Sequence, residues 1–325
     1  MRVLAGDIGG TSARLALVDI DAHTARLLAT RCYASDEFPG LAPIVKAFLA
    51  EVGETPSQAC FGVACPLSEG KCIATNLAWI IDVGVLREEI GIVRTGVIND
   101  LHAVGRGLDR LDAADLLTLQ AGEPKERGTI ALIGAGTGLG EAFLTWGNGA
   151  YEVHASEGGH ASFSSGSELE WRLHSTLARR FGHVSFERVV SGPGLANIYD
   201  HLIGVGDIKE QASVRAEMRG ADPAPVIARH GLAGTDALCE LALDMFTWAY
   251  GSQAGNLALT IMATGGVYVA GGIAPRIVPK LLDGTFMTAF RSKGRLSNVM
   301  EKIPVNVIVN PHVGIIGAAA VAMEQ

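Results

Sequence analysis

The apolar positions set the first outline of the chain. Val3 to Ile8 is an apolar run that turns at Gly9-Gly10, and Thr11 to Asp19 returns with alternating polarity. Together these predict a strand, a tight turn and a second strand, with Ala25 to Tyr33 extending the meander. Behind Pro39, the residues Leu41, Ile44, Val45, Phe48, Leu49 and Val52 recur at helical spacing. Ala59 to Pro66 predicts a buried strand, Val83 to Ile90 a short helix, and Arg94 to Ile98 a strand ending at Asn99-Asp100. A second block starts near Thr129. Its sequence TIALIGAGTGLGEAFLTW can be laid over VLAGDIGGTSARLALVD with Thr137 on Thr11, which suggests a duplicated lobe. Helices are predicted over Ser167–Phe181, where Ser167 and Glu170 form an S-x-x-E capping box, and over 195–202, 225–230 and 235–262. Strands are predicted at GVYVAGGI and VNVIV, with an apolar helix over Val313–Met323. The boundary between the halves is expected within 105–128.

Two long uncharged stretches, Phe246–Pro275 and Ile303–Met323, raise the question of a membrane span. Both are broken by polar residues, prolines or glycines, whereas a span needs about 20 mainly apolar residues. They read as core helix plus core strand of a soluble α/β protein. The pattern is strand-like from Val3 with Arg2 alone before it, so no secretory leader is expected.

Composition sharpens this picture. The chain holds 41 glycines in 325 residues, against roughly 7% in ordinary domains. With only 12 prolines, no Gly-X-Y period and 48% hydrophobic residues, neither collagen nor disorder fits. The net charge of -8 argues against a nucleic-acid or membrane-surface partner. A phosphate ligand would then be held by backbone amides and a divalent cation rather than by lysines. Five cysteines without a C-x-x-C pair suit a reducing cytosol and are expected as free thiols, Cys65 and Cys72 included.

The chemistry-bearing signals cluster after strands. No GxxxxGK[ST] exists, because Gly70-Lys71 is followed by Cys72, and GxGxxG fails at Leu139 and at Glu141. What remains are two glycine turns, Gly9-Gly10-Thr11 and Gly134 to Gly140. Each is either a plain hairpin or an anion-binding concavity. Asp7 ends an apolar strand, either bonded to turn amides or placed as a ligand of magnesium. Asn99-Asp100 precede a helix and serve as an N-cap or as a general base at a strand's carboxyl end. Glu157-Gly158-Gly159-His160 is a surface turn or a set of polar groups for several hydroxyls.

In order along nearly the whole chain stand GDIGGTSARLAL, TNLAW, VINDLHAV, GAGTGLG, EGGHASF, ERVVSGPGLANIY and VAGGIAP. This series resembles the bacterial ATP-dependent glucokinases of the non-ROK type, within the hexokinase/actin-like ATPase superfamily. The resemblance implies two α/β lobes, each a mixed five-stranded RNase H-like sheet flanked by helices, with an interlobe cleft. The expected lobes are 1–109 plus 312–325, and 110–311. It implies transfer of the γ-phosphoryl group of MgATP to the 6-hydroxyl of glucose, with Asp100 as catalytic base. Asn76, Asn99, Glu157, His160 and Glu187 would hold the sugar. Gly9, Gly10 and Thr11, with Gly136, Thr137 and Gly138, would embrace the phosphates, and Gly271-Gly272 would border the adenosine. Mg2+ would sit near Asp7, through water. A cytoplasmic homodimer is expected, with no nucleic acid or membrane partner; rival readings are a kinase for another hexose and an actin-like ATPase switch. Ser12 stands where such proteins usually carry Asn, the segment NPHVGIIG matches only loosely, and the ROK zinc motif is absent.

Overall fold

A computed structural model describes residues 1–65, 67–68, 71–73 and 79–325. In chain order its first elements are strands β1 (Arg2–Ile8), β2 (Ser12–Ile20) and β3 (Ala25–Ala34), helix α1 (Leu41–Val52), and strands β4 (Gln58–Val63), β5 (Leu67–Ser68), β6 (Lys71–Ile73) and β7 (Ile80–Asp82). Helix α2 (Val83–Ile90), strand β8 (Arg94–Asn99) and helix α3 (Asp100–Gly107) follow. Next come strands β9 (Leu116–Gln120), β10 (Ile130–Ala135), β11 (Leu139–Gly147) and β12 (Ala150–Ser156), then helices α4 (Glu168–Phe181), α5 (Gly192–Val205), α6 (Ala212–Glu217), α7 (Pro223–Ala233) and α8 (Ala237–Ile261). The chain closes with β13 (Gly266–Ala270), α9 (Val278–Leu282), α10 (Thr285–Arg291), α11 (Ser297–Met300), β14 (Val305–Ile308) and α12 (Val313–Met323). Among the described residues no helix is long and apolar enough to cross a membrane.

The chain divides into two compact units. One comprises Met1–Leu116, Val153–Ala155 and Asn310–Gln325, the other Leu117–Glu152 and Ser156–Val309.

The sheet of the first unit runs β3-β2-β1-β4-β8. Strand β1 pairs antiparallel with β2 and parallel with β4, which pairs parallel with β8. Successive side chains of a strand point to opposite faces, and the two faces carry different cores. Leu4, Ile8, Leu15, Leu17 and Phe61 join Phe48 of α1 and Leu86 of α2 on one side. Val3, Ala5, Ala16, Val18 and Cys60 meet Ala103 of α3 and Ile315, Ala318 and Ala319 of α12 on the other. Small residues on α12 let it lie close to the sheet, so the last helix in sequence covers the first strand. Every residue of β4 is buried, as expected for a central strand covered on both faces.

The sheet of the second unit runs β12-β11-β10-β13-β14-β9. It therefore has six strands where five were expected. Strand β9 adds the sixth at the edge beside β14, and its short run LLTLQ carried no turn signal to set it apart. Strand β10 pairs antiparallel with β11 and parallel with β13, which pairs parallel with β14. Helix α8 is buried around most of its circumference, with Phe246, Tyr250 and Ala254 at 0% exposure, so it forms the spine of this core. The capping box of α4 forms with a shift. The Ser167 hydroxyl accepts from the Glu170 amide at 3.2 Å, while the Glu170 carboxylate accepts from the Gly166 amide at 2.8 Å rather than from Ser167's own.

The expectation of five free thiols is corrected at one pair. Cys65 and Cys72 form a disulfide, with Cα atoms 6.1 Å apart, inside the span a disulfide bridges. Their spacing hid this because β5 and β6 fold back antiparallel, with Leu67 opposite Cys72, and return the second cysteine toward the first. Cys32, Cys60 and Cys239 are free.

Phe48 is fully buried between α1 and the first sheet. Phe48→Ala is expected to cost about 3–5 kcal/mol, read as a lower urea midpoint; a loss under about 1 kcal/mol would contradict this packing.

Candidate functional site

In the first unit the parallel register brings Ile8, Val63 and Asn99 level with one another, at the carboxyl ends of β1, β4 and β8. Asn99 caps α3: its side-chain oxygen accepts from the amides of Leu101 and His102 at 3.0 and 3.2 Å. Asp100 is therefore the first helical residue, and its carboxylate accepts from the Leu101 amide at 2.9 Å. Of the two readings of this pair, the N-cap is seen at Asn99, and Asp100 stands next to it at the strand's carboxyl end. Asp7 shares a face of β1 with Val3 and Ala5, the face that α3 and α12 cover. It lies against Gly314 in the first turn of α12. Two helix N-termini thus flank this edge of the sheet, and such termini favour negative charge.

Burial pushes the Asp100 carboxyl up to about 6, and the negative charge of Asp7 adds to the rise against the opposing Leu101 amide. Burial also raises Asp7, while Arg14, its cross-strand partner, and His312 pull it down. The pair is thus a base tuned toward neutrality beside a second carboxylate.

The turn Gly9–Thr11 is held from outside. The Gly9 amide donates to the Ser12 carbonyl at 2.9 Å. Buried Ser35 donates its amide to the Thr11 carbonyl at 3.0 Å and its hydroxyl to the Gly9 carbonyl at 3.1 Å. In the second unit the Gly136 amide donates to the Gly138 carbonyl at 2.8 Å, and Gly192 donates to the Gly136 carbonyl at 2.9 Å. The two turns differ by one residue: Ile8 opposes Ala13, whereas Ala135 opposes Leu139. Among the described residues, the amides of Gly10, Thr11, Thr137 and Gly138 donate to no protein acceptor. Thr11 and Thr137 are exposed, so these amides suit an anion.

Other expected residues gather around the second turn. Gly271, at φ +83°, packs against the Ala135 carbonyl, and the Ile273 amide donates to that carbonyl at 3.2 Å. Gly271-Gly272 therefore border this turn. Glu187 accepts from the Leu139 amide at 3.0 Å and stands against Gly138. Glu157 and His160 bracket a single 3₁₀ turn over Gly158–His160, with Nε2 of His160 3.9 Å from the Glu157 carboxylate and both side chains exposed. The segment bearing Glu187 supports this turn, because the Phe186 amide donates to the Ala161 carbonyl at 3.0 Å. Asn76 lies outside the described residues.

Two residues escaped the sequence reading. Ser35 opens the short 3₁₀ turn that follows β3 and reads as one hydroxyl among many. Tyr250 is wholly buried in α8; its hydroxyl accepts from the Ala135 amide at 3.1 Å and donates to the Ala270 carbonyl at 3.3 Å. It thereby ties β10 to β13 just below the second turn. A lone Tyr in an apolar helix reads as core, and only the presence of a polar atom there hinted otherwise.

A family model described as Glucokinase matches residues 4–325. The glucokinase of Synechocystis sp. is 41% identical over 347 aligned positions, covering 99% of this chain and 98% of that protein. A crystal structure of glucokinase from an Antarctic psychrotroph has a TM-score of 0.84 at 32% identity, covering 100% of this chain and 99% of that one. Glucokinase from Balamuthia mandrillaris in complex with glucose shares the fold, with a TM-score of 0.82 at 21% identity and coverage of 99% and 93%. At such identity and coverage in both directions, the chain belongs to the glucokinase family.

Proposed function

We propose that this protein transfers the γ-phosphoryl group of MgATP to the 6-hydroxyl of D-glucose, with Asp100 as the general base. Family membership supports phosphorylation of glucose by ATP. The observation that carries the assignment of the base is Asp100 itself, a carboxylate at the first turn of α3, raised to about 6 by burial. At neutral pH it is ionised yet basic enough to accept the hydroxyl proton as the oxygen attacks phosphorus. Such transfer depends mainly on positioning and electrostatics.

The two amide-lined turns are the proposed phosphate grips, which suits a chain of net charge -8. Glu157, His160 and Asn99 would hold sugar hydroxyls, a role that the family resemblance implies for Asn76 as well. Glu187, being bound to the Leu139 amide, would act where the phosphate turn meets the sugar. A divalent ion fits the donors near Asp7. A hard cation that keeps several waters needs only one or two carboxylates plus phosphate oxygens, and among the described residues no three His, Cys, Asp or Glu side chains form a cage. When bound, the ion would neutralise charge on the phosphates. A cytoplasmic homodimer remains part of the proposal.

Asp100→Asn preserves shape and removes the base, so kcat should fall about 10²- to 10⁴-fold while glucose still binds by calorimetry. A variant with near wild-type kcat would remove Asp100 from this role. The same change should raise the melting temperature at pH 8. A carboxyl whose folded pKa is raised favours the fold below its unfolded pKa and loses that contribution as pH rises through about 6.

Only ionised Asp100 accepts a proton, so kcat/KM should fall about tenfold per unit below about pH 6. A flat profile down to pH 5 would contradict the tuning.

Glu157→Ala and His160→Ala should each raise the KM for glucose about 10- to 100-fold, the range expected for a lost hydrogen bond to a charged group. The KM for ATP should stay nearly constant. Unchanged glucose KM in both would argue against this placement.

A further inference from the structure

We propose that Glu141 is a positioning residue for the sugar side of the site: its buried carboxylate seats the Glu157–His160 turn. The inference rests on the reading that this turn binds glucose, and adds a residue to which the sequence assigned no role.

Glu141 lies on β11 and is 4% exposed. A carboxylate in such a place is costly unless its oxygens are engaged, and burial raises its pKa. Its described partner is an amide: Nε2 of Gln253, on α8 and itself 5% exposed, donates to Oε1 at 2.8 Å. The amide belongs to a chain of bonds with a fixed direction. Lys293 can only donate, and its Nζ donates to Oδ1 of Asn256 at 2.9 Å and to the Ser252 carbonyl at 3.0 Å. Asn256 must then turn Nδ2 toward Gln253, where it donates to Oε1 at 3.1 Å. Gln253 is left with only its NH2 to offer Glu141. Oε1 of Glu141 is therefore held as an acceptor, and the carboxylate cannot rotate without breaking the chain.

The other oxygen, Oε2, is consequently fixed beneath Gly158. A Cβ on Gly158 would overlap it, and the hydroxyl oxygen of Ser156, which accepts from the Gly158 amide at 3.0 Å, lies on the same residue. Two positions earlier on β11, on the same face, Leu139 supports the rest of the turn. A Cβ on Gly159 would overlap the Leu139 carbonyl, and the Leu139 amide holds Glu187. The glycine pair in EGGH is thus the mould of Leu139 and Glu141. The start of β11 sets the height of the Glu157–His160 turn relative to Glu187 and the Gly136–Gly138 turn.

Steady-state kinetics on Glu141→Ala, Glu141→Gln, Gly158→Ala and the double variant Glu141→Ala/Gly158→Ala test this. Glu141→Ala should raise the glucose KM about 10- to 100-fold, the cost of a site displaced by about 1 Å, with the KM for ATP within about threefold. Glu141→Gln keeps the carbonyl acceptor for Gln253 and fills the space below Gly158, so it should recover most of that loss. Gly158→Ala should raise the glucose KM alone, yet add little in the Glu141→Ala background, where the methyl has room. Additive effects of Gly158→Ala and Glu141→Ala would overturn the proposal, as would a Glu141→Ala variant that loses only thermal stability. If Glu157→Ala and His160→Ala leave the glucose KM unchanged, the sugar assignment fails and the proposal with it. If those two raise it and Glu141→Ala does not, only the role of Glu141 fails.

Discussion

Each unit depends on one pairing arrangement. The first strand of a hairpin pairs antiparallel with its partner on one side and parallel with a later strand on the other. Strand β1 does this with β2 and β4, and β10 does it with β11 and β13. A parallel neighbour points the same way, so its carboxyl end falls level with the hairpin turn. The chain therefore leaves β4 at Val63 level with Ile8, the residue before Gly9–Thr11, with Asn99 of β8 one strand further out at the same level, and leaves β13 at Gly271 beside Ala135, the residue before Gly136–Gly138. A slip of one residue would turn every side chain to the other face and carry Asp7 away from α3 and α12.

The electrostatics follow from that geometry. An acidic chain cannot meet a polyphosphate with a basic surface, and the two turns offer backbone amides instead. The first unit adds two helix N-termini at the edge where Asp7 stands. Burial there also keeps Asp100 from being an ordinary acid. Withdrawing its carboxylate from water raises its affinity for a proton, and Asp7 reinforces the effect. The amides at the start of α3 act in the opposite sense, because a donor to the carboxylate favours its charged form.

The second unit shows how a flexible-looking motif is made rigid. Gly158 and Gly159 read in sequence as freedom, but they sit where Glu141 and Leu139 leave no room for a side chain. Behind them the bonds from Glu141 through Gln253 and Asn256 to Lys293 hold the carboxylate in one orientation. Tyr250 acts in the same way at the end of β10.

Local pattern determined much of this protein. Helix α2 and the end of α4 lie where apolar spacing and capping residues place them, because both signals act within a few residues. The glycine turns, Asp7 and Asn99-Asp100 were visible as polar or small residues interrupting apolar strands. Tertiary structure alone decided the rest. Strand β9 became the sixth of its sheet, Cys72 folded back onto Cys65, and Ser35, Tyr250 and Glu141 became supports of the site. Apart from the disulfide, which a local hairpin closes over seven residues, those outcomes depend on partners far away in sequence, such as Gly9 for Ser35 or Ala135 for Tyr250. A residue's own neighbours state its chemistry, while its burial and bonding partners are set only when distant strands come into register.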